Sequence, residues 1–302
     1  MHLATTLTVA GLRAADRLSP DVAGRLAMPL FRQVRPALPV RPGDRAVHEH
    51  GERGTITVRG RAVVTYSWGN GPETVLLVHG WRGRASQFGP LVRELRAEGY
   101  RVVAFDAPAN GESAGRHTDI RDWLDAIAVL QQRHGMFRLI VGHSFGSLAA
   151  LTAVREGTAA GGVVTIAGMA DARYLVDSFA GRVGLSAASA DVLATRFAAR
   201  LRPDVIDPYV RFDAVRDPLP ESVPLLVVHD RGDREVAAAE SMRLHEAHGS
   251  RSRLVLTEGA GHSRVLGADA TLDAVTAFAT GGLAALDTAG IGQVAVPAAS
   301  AR

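Results

Sequence analysis

The chain predicts an α/β fold with a mostly parallel central sheet, helices on both faces and a short helical insertion. Three observations carry this expectation. Short apolar runs recur through the middle of the chain, and each is continuous rather than alternating, as strands buried on both faces must be. Stretches of helical periodicity separate those runs, which implies crossover connections and a parallel sheet. The alternation then stops between Gly168 and Val223, where helical stretches and prolines replace strands. Packing alone explains this pattern, so by itself it names no chemistry.

The elements follow in order. Leu3–Leu12 is a mildly apolar run with Leu3, Leu7, Ala10 and Ala14 near one helical face. His2 is a poor positive start and the apolar centre is weak, so no secretory signal is expected and a cytoplasmic location is. No window reaches the roughly 18 apolar residues of a spanning helix. This segment is expected to pack on the domain; a partner contact or weak membrane association is the alternative. Three prolines within Val34–Pro42 predict an extended connector. Residues 1–50 therefore form an N-terminal helical extension with a proline-rich connector.

A core over residues 51–168 and 222–280 follows. Gly54–Arg59 and Ala62–Trp68 are β-branched or aromatic runs around Gly60 and read as a hairpin. Strands are expected at Thr74–His79, Arg101–Asp106, Phe137–Gly142, Gly162–Gly168, Val223–His229 and Arg253–Thr257. Helices are expected at Gln87–Glu98, Ile120–Arg133, Phe145–Val154, Glu235–His248 and Val265–Ala279. The insertion, residues 169–221, has helical stretches at Ala172–Ala180 and Ser189–Leu201 and reads as a lid. Its apolar faces, Phe179 among them, can close over an acyl group or simply pack on the domain. The Gly- and Ala-rich segment 281–302 is expected as a tail, frayed or with a short helix.

Composition narrows the chemistry. The 302 residues contain no Cys, which excludes a disulfide framework, a thiol nucleophile and a cysteine-ligated metal. The formal charge of +3 is too small to imply a nucleic-acid partner. Every one of the 34 basic side chains is Arg. Arg-containing segments such as Arg82-Gly83-Arg84 and Arg231–Arg234 are short and mixed with glycine or acids. They are expected at the solvated surface, with selection of an acidic substrate by Arg82 and Arg84 as the alternative.

The sharpest local signal is Gly142-His143-Ser144-Phe145-Gly146, which directly follows a strand and precedes a helix. A serine on so tight a junction needs neighbours without β-carbons, and Gly142 and Gly146 supply them. The hydroxyl then stands above the sheet, at the N-terminus of a helix that favours negative charge. Such a serine needs a base and an acid. His262 lies in a Gly-rich loop beyond the last strand. Asp233 follows the strand ending at His229, so both fall at carboxyl ends of parallel strands. Asp230 is only three residues away and is also read as a turn residue or surface charge. Asp106 precedes Ser144 and suits a turn-stabilising role. His143 should point away from the hydroxyl, and His79 reads as a structural hydrogen-bonding residue.

Taken in order, His79-Gly80-Trp81, Asp106–Ser113, Gly142–Gly146, and Asp233 with Gly261-His262 resemble the alpha/beta-hydrolase fold serine hydrolases of esterase or lipase type. The resemblance spans about Gly54 to Ala279. It implies Ser144 as nucleophile, His262 as base and Asp233, rather than Asp230, as acid, because the family places its acid four residues after a histidine like His229. It also implies backbone N–H donors at Trp81 and Phe145 for an oxyanion hole. Trp81, Phe145 and Phe179 are the candidate pocket residues; for the first two, core packing is the equal alternative. Glu112 departs from the family pattern, which has a small or basic residue there, and this bears on turn or rim chemistry. The implied activity is hydrolysis of carboxylic esters with small to medium acyl groups through an acyl-enzyme. Its partners are an ester and water, and it needs no cofactor or metal. Thioester or carbon–carbon bond hydrolysis on the same triad, or ligand binding without catalysis, are the alternatives.

Overall fold

The structure, a computed structural model, describes residues 3–292; positions 293–302 of the expected tail lie outside the described residues. Eight strands make one sheet: β1 (Glu52–Val58), β2 (Arg61–Trp68), β3 (Thr74–Val78), β4 (Arg101–Phe105), β5 (Phe137–His143), β6 (Val163–Ile166), β7 (Leu225–Asp230) and β8 (Ser252–Thr257). Their spatial order is β1-β2-β4-β3-β5-β6-β7-β8. The hairpin pairs antiparallel and joins β4 antiparallel, while every pairing from β4 to β8 is parallel. The expected fold class stands. β3 and β7 are buried at every position, which is why their sequences do not alternate.

Among the described residues the α-helices are α1 (Leu3–Leu18), α2 (Pro20–Phe31), α3 (Arg45–Glu49), α4 (Gly89–Ala97), α5 (Ile120–His134), α6 (Phe145–Arg155), α7 (Ala172–Val183), α8 (Ala187–Leu201), α9 (Pro208–Arg211), α10 (Ala238–His248), α11 (Gly261–Arg264) and α12 (Asp269–Thr288). α4 and α12 cover one face, where Phe88, Leu91 and Phe278 meet Leu77, Val141 and Val228. α5, α6 and α10 cover the other, where Trp123, Leu148 and Leu244 meet Ile140, Val163 and Val227. None of the helices described is long and apolar enough to cross a membrane.

Two boundaries differ from expectation. α10 begins at Ala238 rather than Glu235; Glu235 and Val236 lie instead in the acid loop, where their N–H groups donate to the Asp233 carboxylate. α12 continues past Ala279 to Thr288 through a kink at Gly282, whose φ is +63°. Leu286 is fully buried beyond that kink, so this part of the expected tail packs on the core.

The N-terminal segment packs, as one of its readings had it, and its partner is the insertion. α2 opens with Ser19 as N-cap, Pro20 in the first turn and Asp21 beside it. Leu12, Ala27, Val176, Leu193 and Ala194 form a separate small core with Met28, Phe31, Phe179 and Phe197 around it. Polar bonds fix the same contact. Asp16 accepts from the Ser186 N–H at 3.0 Å and its hydroxyl at 2.6 Å, and Arg13 Nε donates to the Val183 carbonyl at 2.8 Å. Helices from opposite halves of the sequence thus share one apolar centre above the sheet.

Close approach of α2 to α8 depends on Gly24. A β-carbon there would lie 2.6 Å from Val192 Cγ1 and 3.0 Å from the Ser189 carbonyl oxygen. Gly24→Leu should therefore lower stability by roughly 1–3 kcal/mol and expose the Val34–Pro42 connector to protease. By contrast, a β-carbon at Gly11 meets nothing within 4 Å. Gly11→Ala should be neutral or stabilising by up to about 1 kcal/mol. Thermal unfolding with limited proteolysis of the two variants checks both outcomes.

Candidate active site

Ser144 sits where β5 ends and α6 begins, with φ +54° and ψ −123°. That conformation is strained for a residue with a side chain and persists only where surroundings impose it. Its own N–H donates to the Ile166 carbonyl at 2.9 Å, and its carbonyl accepts from the Ser147 N–H at 2.9 Å. The flanking glycines make the crossing sterically feasible. A β-carbon on Gly146 would lie 2.1 Å from the Val78 carbonyl oxygen, and one on Gly142 would lie 2.5 Å from Ser147 Cα. Both contacts are impossible, so no side chain fits at either position.

The structure brings Ser144, His262 and Asp233 together. Ser144 Oγ lies 3.0 Å from His262 Nε2, and His262 Nδ1 lies 2.7 Å from Asp233 Oδ2. A carboxylate beside Nδ1 fixes the proton there, leaving Nε2 to accept from the serine hydroxyl. The Asp233 side chain is fully buried and that of His262 nearly so. Burial pushes the Asp233 carboxyl upward, but hydrogen bonds from His229 and His262 and from the Glu235 N–H outweigh it and hold the carboxyl well below its usual range. Asp233 is therefore an anion at neutral pH.

His229 was legible only as a sequence landmark for the acid, and the structure gives it a contact of its own. Its Nε2 faces two acceptors, the Val236 carbonyl at 3.0 Å and Asp233 Oδ2 at 3.3 Å, so it carries the proton. Its Nδ1 accepts from Ser241 Oγ at 2.6 Å. Asp233 Oδ2 thus lies between two imidazoles, while Oδ1 accepts from the Glu235 and Val236 N–H groups at 2.7 and 3.0 Å. Four donors on one carboxylate leave it no rotational freedom. Glu235 also brings a carboxylate oxygen to 3.8 Å from His262 Nε2.

The residues set aside as structural take structural positions. Asp230 is fully buried, so it is not a surface charge; it accepts from the Gly232 N–H, Thr257 Oγ1 and the Ala260 N–H at 2.8–2.9 Å and ties the acid loop to the histidine loop. Asp106 accepts from the N–H groups of Ala85 and Glu112, both at 2.7 Å. His79 accepts from the Ala107 N–H at 2.9 Å and donates to the Gly80 carbonyl at 2.7 Å, bracing the turn that carries Trp81. His143 points away from the serine hydroxyl and donates from Nε2 to the His262 carbonyl at 2.9 Å. Arg84 corrects the expectation of a solvated surface: it is buried, and it donates to the Leu38 carbonyl at 3.0 Å and pairs with Glu112 at 3.4 Å. Glu112, which also pairs with His48 and Arg53, is part of the turn chemistry.

A cavity of about 500 Å³ opens over Ser144 and His262. Trp81, Phe145 and Phe179 all line it, and Trp81 and Phe145 also pack with Trp123, so both readings of those two rings hold at once. Phe145 is the first residue of α6, whose N–H has no partner within the helix. Sequence reasoning missed Phe31 and Arg32, which line the cavity from the end of α2. The Ser19-Pro20-Asp21 start marks that helix, but nothing local places its end at the site.

A parallel sheet covered on both faces, with a serine on the strand–helix turn and an acid and a histidine at the ends of later strands, defines the nucleophile-elbow class of α/β proteins. The alpha/beta hydrolase family model matches residues 75–275, and the chain belongs to that family. Among solved structures, an esterase from Pyrococcus furiosus, Pf2001, superposes with a TM-score of 0.60 at 19% identity, covering 80% of this chain and 97% of that one. Alpha/beta hydrolase domain-containing protein 10 from mouse gives 0.58 at 15% identity, covering 74% and 95%. The thioesterase domain from the curacin biosynthetic pathway gives 0.54 at 19%, covering 75% and 99%. At these identities the likeness is one of fold. No curated protein matches the chain in sequence.

The buried histidine beside the serine generates an acid-stability prediction. Burial, reinforced by the neighbouring His262, pushes the His143 imidazole from 6.5 down to about 3. Between those values the unfolded chain binds a proton that the folded chain does not, so stability falls as pH drops through that window. The slope from this one group reaches at most ~1.4 kcal/mol per pH unit. His143→Gln should show a shallower decline than the wild type, measured by denaturant unfolding at successive pH values.

Proposed function

We propose that this protein is a serine hydrolase that cleaves carboxylic esters with small to medium acyl groups through an acyl-enzyme. The observation that carries the reading is the continuous hydrogen-bonded chain from Ser144 Oγ through His262 to the buried Asp233, open to a cavity on the serine side. In this mechanism His262 Nε2 accepts the serine proton as Oγ attacks the ester carbonyl. Asp233 holds the imidazole in the required tautomer and stabilises the imidazolium. The backbone N–H groups of Trp81 and Phe145 receive the developing oxyanion; one such donor is worth roughly 3 kcal/mol. His262 returns the proton to the departing alcohol and then activates water against the acyl-enzyme.

The helices α7 and α8 serve in this reading as a lid over the acyl group, with α1 and α2 as its outer support. A volume of about 500 Å³ suits a small or medium acyl chain better than an extended lipid. Hydrolysis of 4-nitrophenyl esters with acyl chains from two to sixteen carbons tests the proposal. Turnover should peak at the shorter chains, and Ser144→Ala should lower kcat/KM by about a thousandfold or more while the protein stays folded. Unchanged turnover in Ser144→Ala would remove the serine from the mechanism. Turnover of thioesters alone would move the reaction to thioester hydrolysis on the same residues.

A further inference from the structure

We infer that the cavity above Ser144 is built for an ester carrying an anionic group, which Arg32 and Arg82 bind from two different parts of the chain. The inference rests on the reading of Ser144 as the nucleophile and adds the substrate class to it. Arg32 follows α2, and Arg82 follows Trp81 in the turn after β3; both line the cavity and both are half-buried.

The state of the two guanidinium groups carries the inference. Among the described residues, neither side chain forms an ion pair or a hydrogen bond, and the buried Nε of Arg82 has no partner. Several other half-buried or buried arginines of this fold are paired through their side chains. Arg121 binds Asp119 and Asp204, Arg211 forks onto Glu156, and buried Arg84 has Glu112 and the Leu38 carbonyl. An unpaired, partly desolvated cation is costly, and the group that would relieve it is an anion. Burial lowers the pKa of Arg32, the Arg200 cation adds to that, and Asp119 opposes it. That is the signature of a cation short of counter-charge.

The carboxylates facing the cavity do not supply that counter-charge. Asp119 is fully engaged, accepting from the Arg121 N–H, Nε and Nη2 at 2.8–3.1 Å while it caps α5. Glu235 is exposed and lies on the histidine side, 3.8 Å from His262 Nε2. Arg182, at the exposed rim, adds a third cation. Arg82 also sits at φ +58°, a left-handed conformation that a bulky side chain adopts only under constraint. Its turn is held by His79 and by the Asp106 bond to Ala85, so the side chain is presented by a rigid frame.

The anion can belong to the acyl part or to the leaving group, and paired substrates separate the two. For the acyl side, mono-4-nitrophenyl glutarate is compared with 4-nitrophenyl pentanoate, which has the same chain length and no terminal carboxylate. For the leaving group, 4-carboxyphenyl butanoate is compared with phenyl butanoate. In at least one pair the anionic ester should have a kcat/KM about tenfold higher or more, and Arg32→Gln and Arg82→Gln should each reduce that ratio about tenfold. Arg32→Lys should retain part of it, and added salt should diminish it. Preference in the first pair assigns the anion to the acyl part, and preference in the second to the leaving group. Equal rates in both pairs, or ratios unaffected by both Gln variants, would overturn the inference while leaving the serine mechanism intact. If no ester is turned over, the serine reading fails; calorimetric binding of glutarate, lost in Arg32→Gln, would then uphold the anion site alone, and absence of binding would overturn it.

Discussion

Everything at the site hangs on one backbone conformation, the left-handed turn at Ser144. A residue with a β-carbon at φ +54° is held there at a cost of order 1–3 kcal/mol, supplied by the packing around it. β5 runs into α6 with Ser144 as the single residue between them, so the whole change of direction falls on it. That brings Gly146 against the carbonyl oxygens of Val78 and His79, and Gly142 against Ser147. β3 lies directly beside β5 and parallel to it, so the Trp81 turn and the start of α6 fall at the same end of the sheet, and Trp81 and Phe145 both line the cavity.

Much of this was legible because the constraint is local. Gly142 and Gly146 around a serine, between a β-branched run and a Leu-Ala-Ala-Leu helix, encode the turn within a few residues. The strand and helix pattern was equally readable, since burial on both faces leaves continuous apolar runs. What was not legible depends on contacts between distant segments. Arg82 and Arg84 look alike in sequence, but one is buried against Leu38 and Glu112 while the other faces the cavity. No property of either residue decides that; the path of the proline-rich connector does. The late start of α10 was hidden for a related reason: Glu235 and Val236 belong to the loop that holds the acid, where their N–H groups donate to Asp233 and the Val236 carbonyl accepts from His229.

The N-terminal extension shows how a segment of weak local signal acquires a defined place. α1 is only mildly apolar and would not be stable alone at this length. Its order comes from Leu12 and Ala27 sharing a core with Val176, Leu193 and Ala194, and from Asp16 bonding the start of α8. The extension and the insertion are mutually dependent: each supplies the apolar surface that the other lacks. Phe31 makes this concrete, packing edge-on against both Phe179 and Phe197 at 5.2 and 5.5 Å while lining the cavity. A change in the extension therefore reaches the wall of the site in one contact.

The same dependence bears on how the two sides of the cavity are built. Ser144, His262 and Asp233 stand on strand ends and on loops braced by Asp230 and His229, all within the sheet layer. The loops that carry the acid and the histidine have little freedom, because the buried Asp230 and His229 bond them to the sheet and to each other. The facing wall comes instead from α2, α7 and α8, held to one another by the small apolar core and to the sheet layer by Ala172 and Leu201, which join the main core. Trp81 links the two layers, with its backbone in the turn above Ser144 and its indole Nε1 donating to the Gln33 carbonyl at 3.0 Å. Substitutions in the helical wall can then alter what enters the cavity without disturbing the hydrogen bonds that orient His262. Such a separation explains how one arrangement of serine, histidine and aspartate accommodates a cavity shaped by a segment as distant in sequence as residues 20–38.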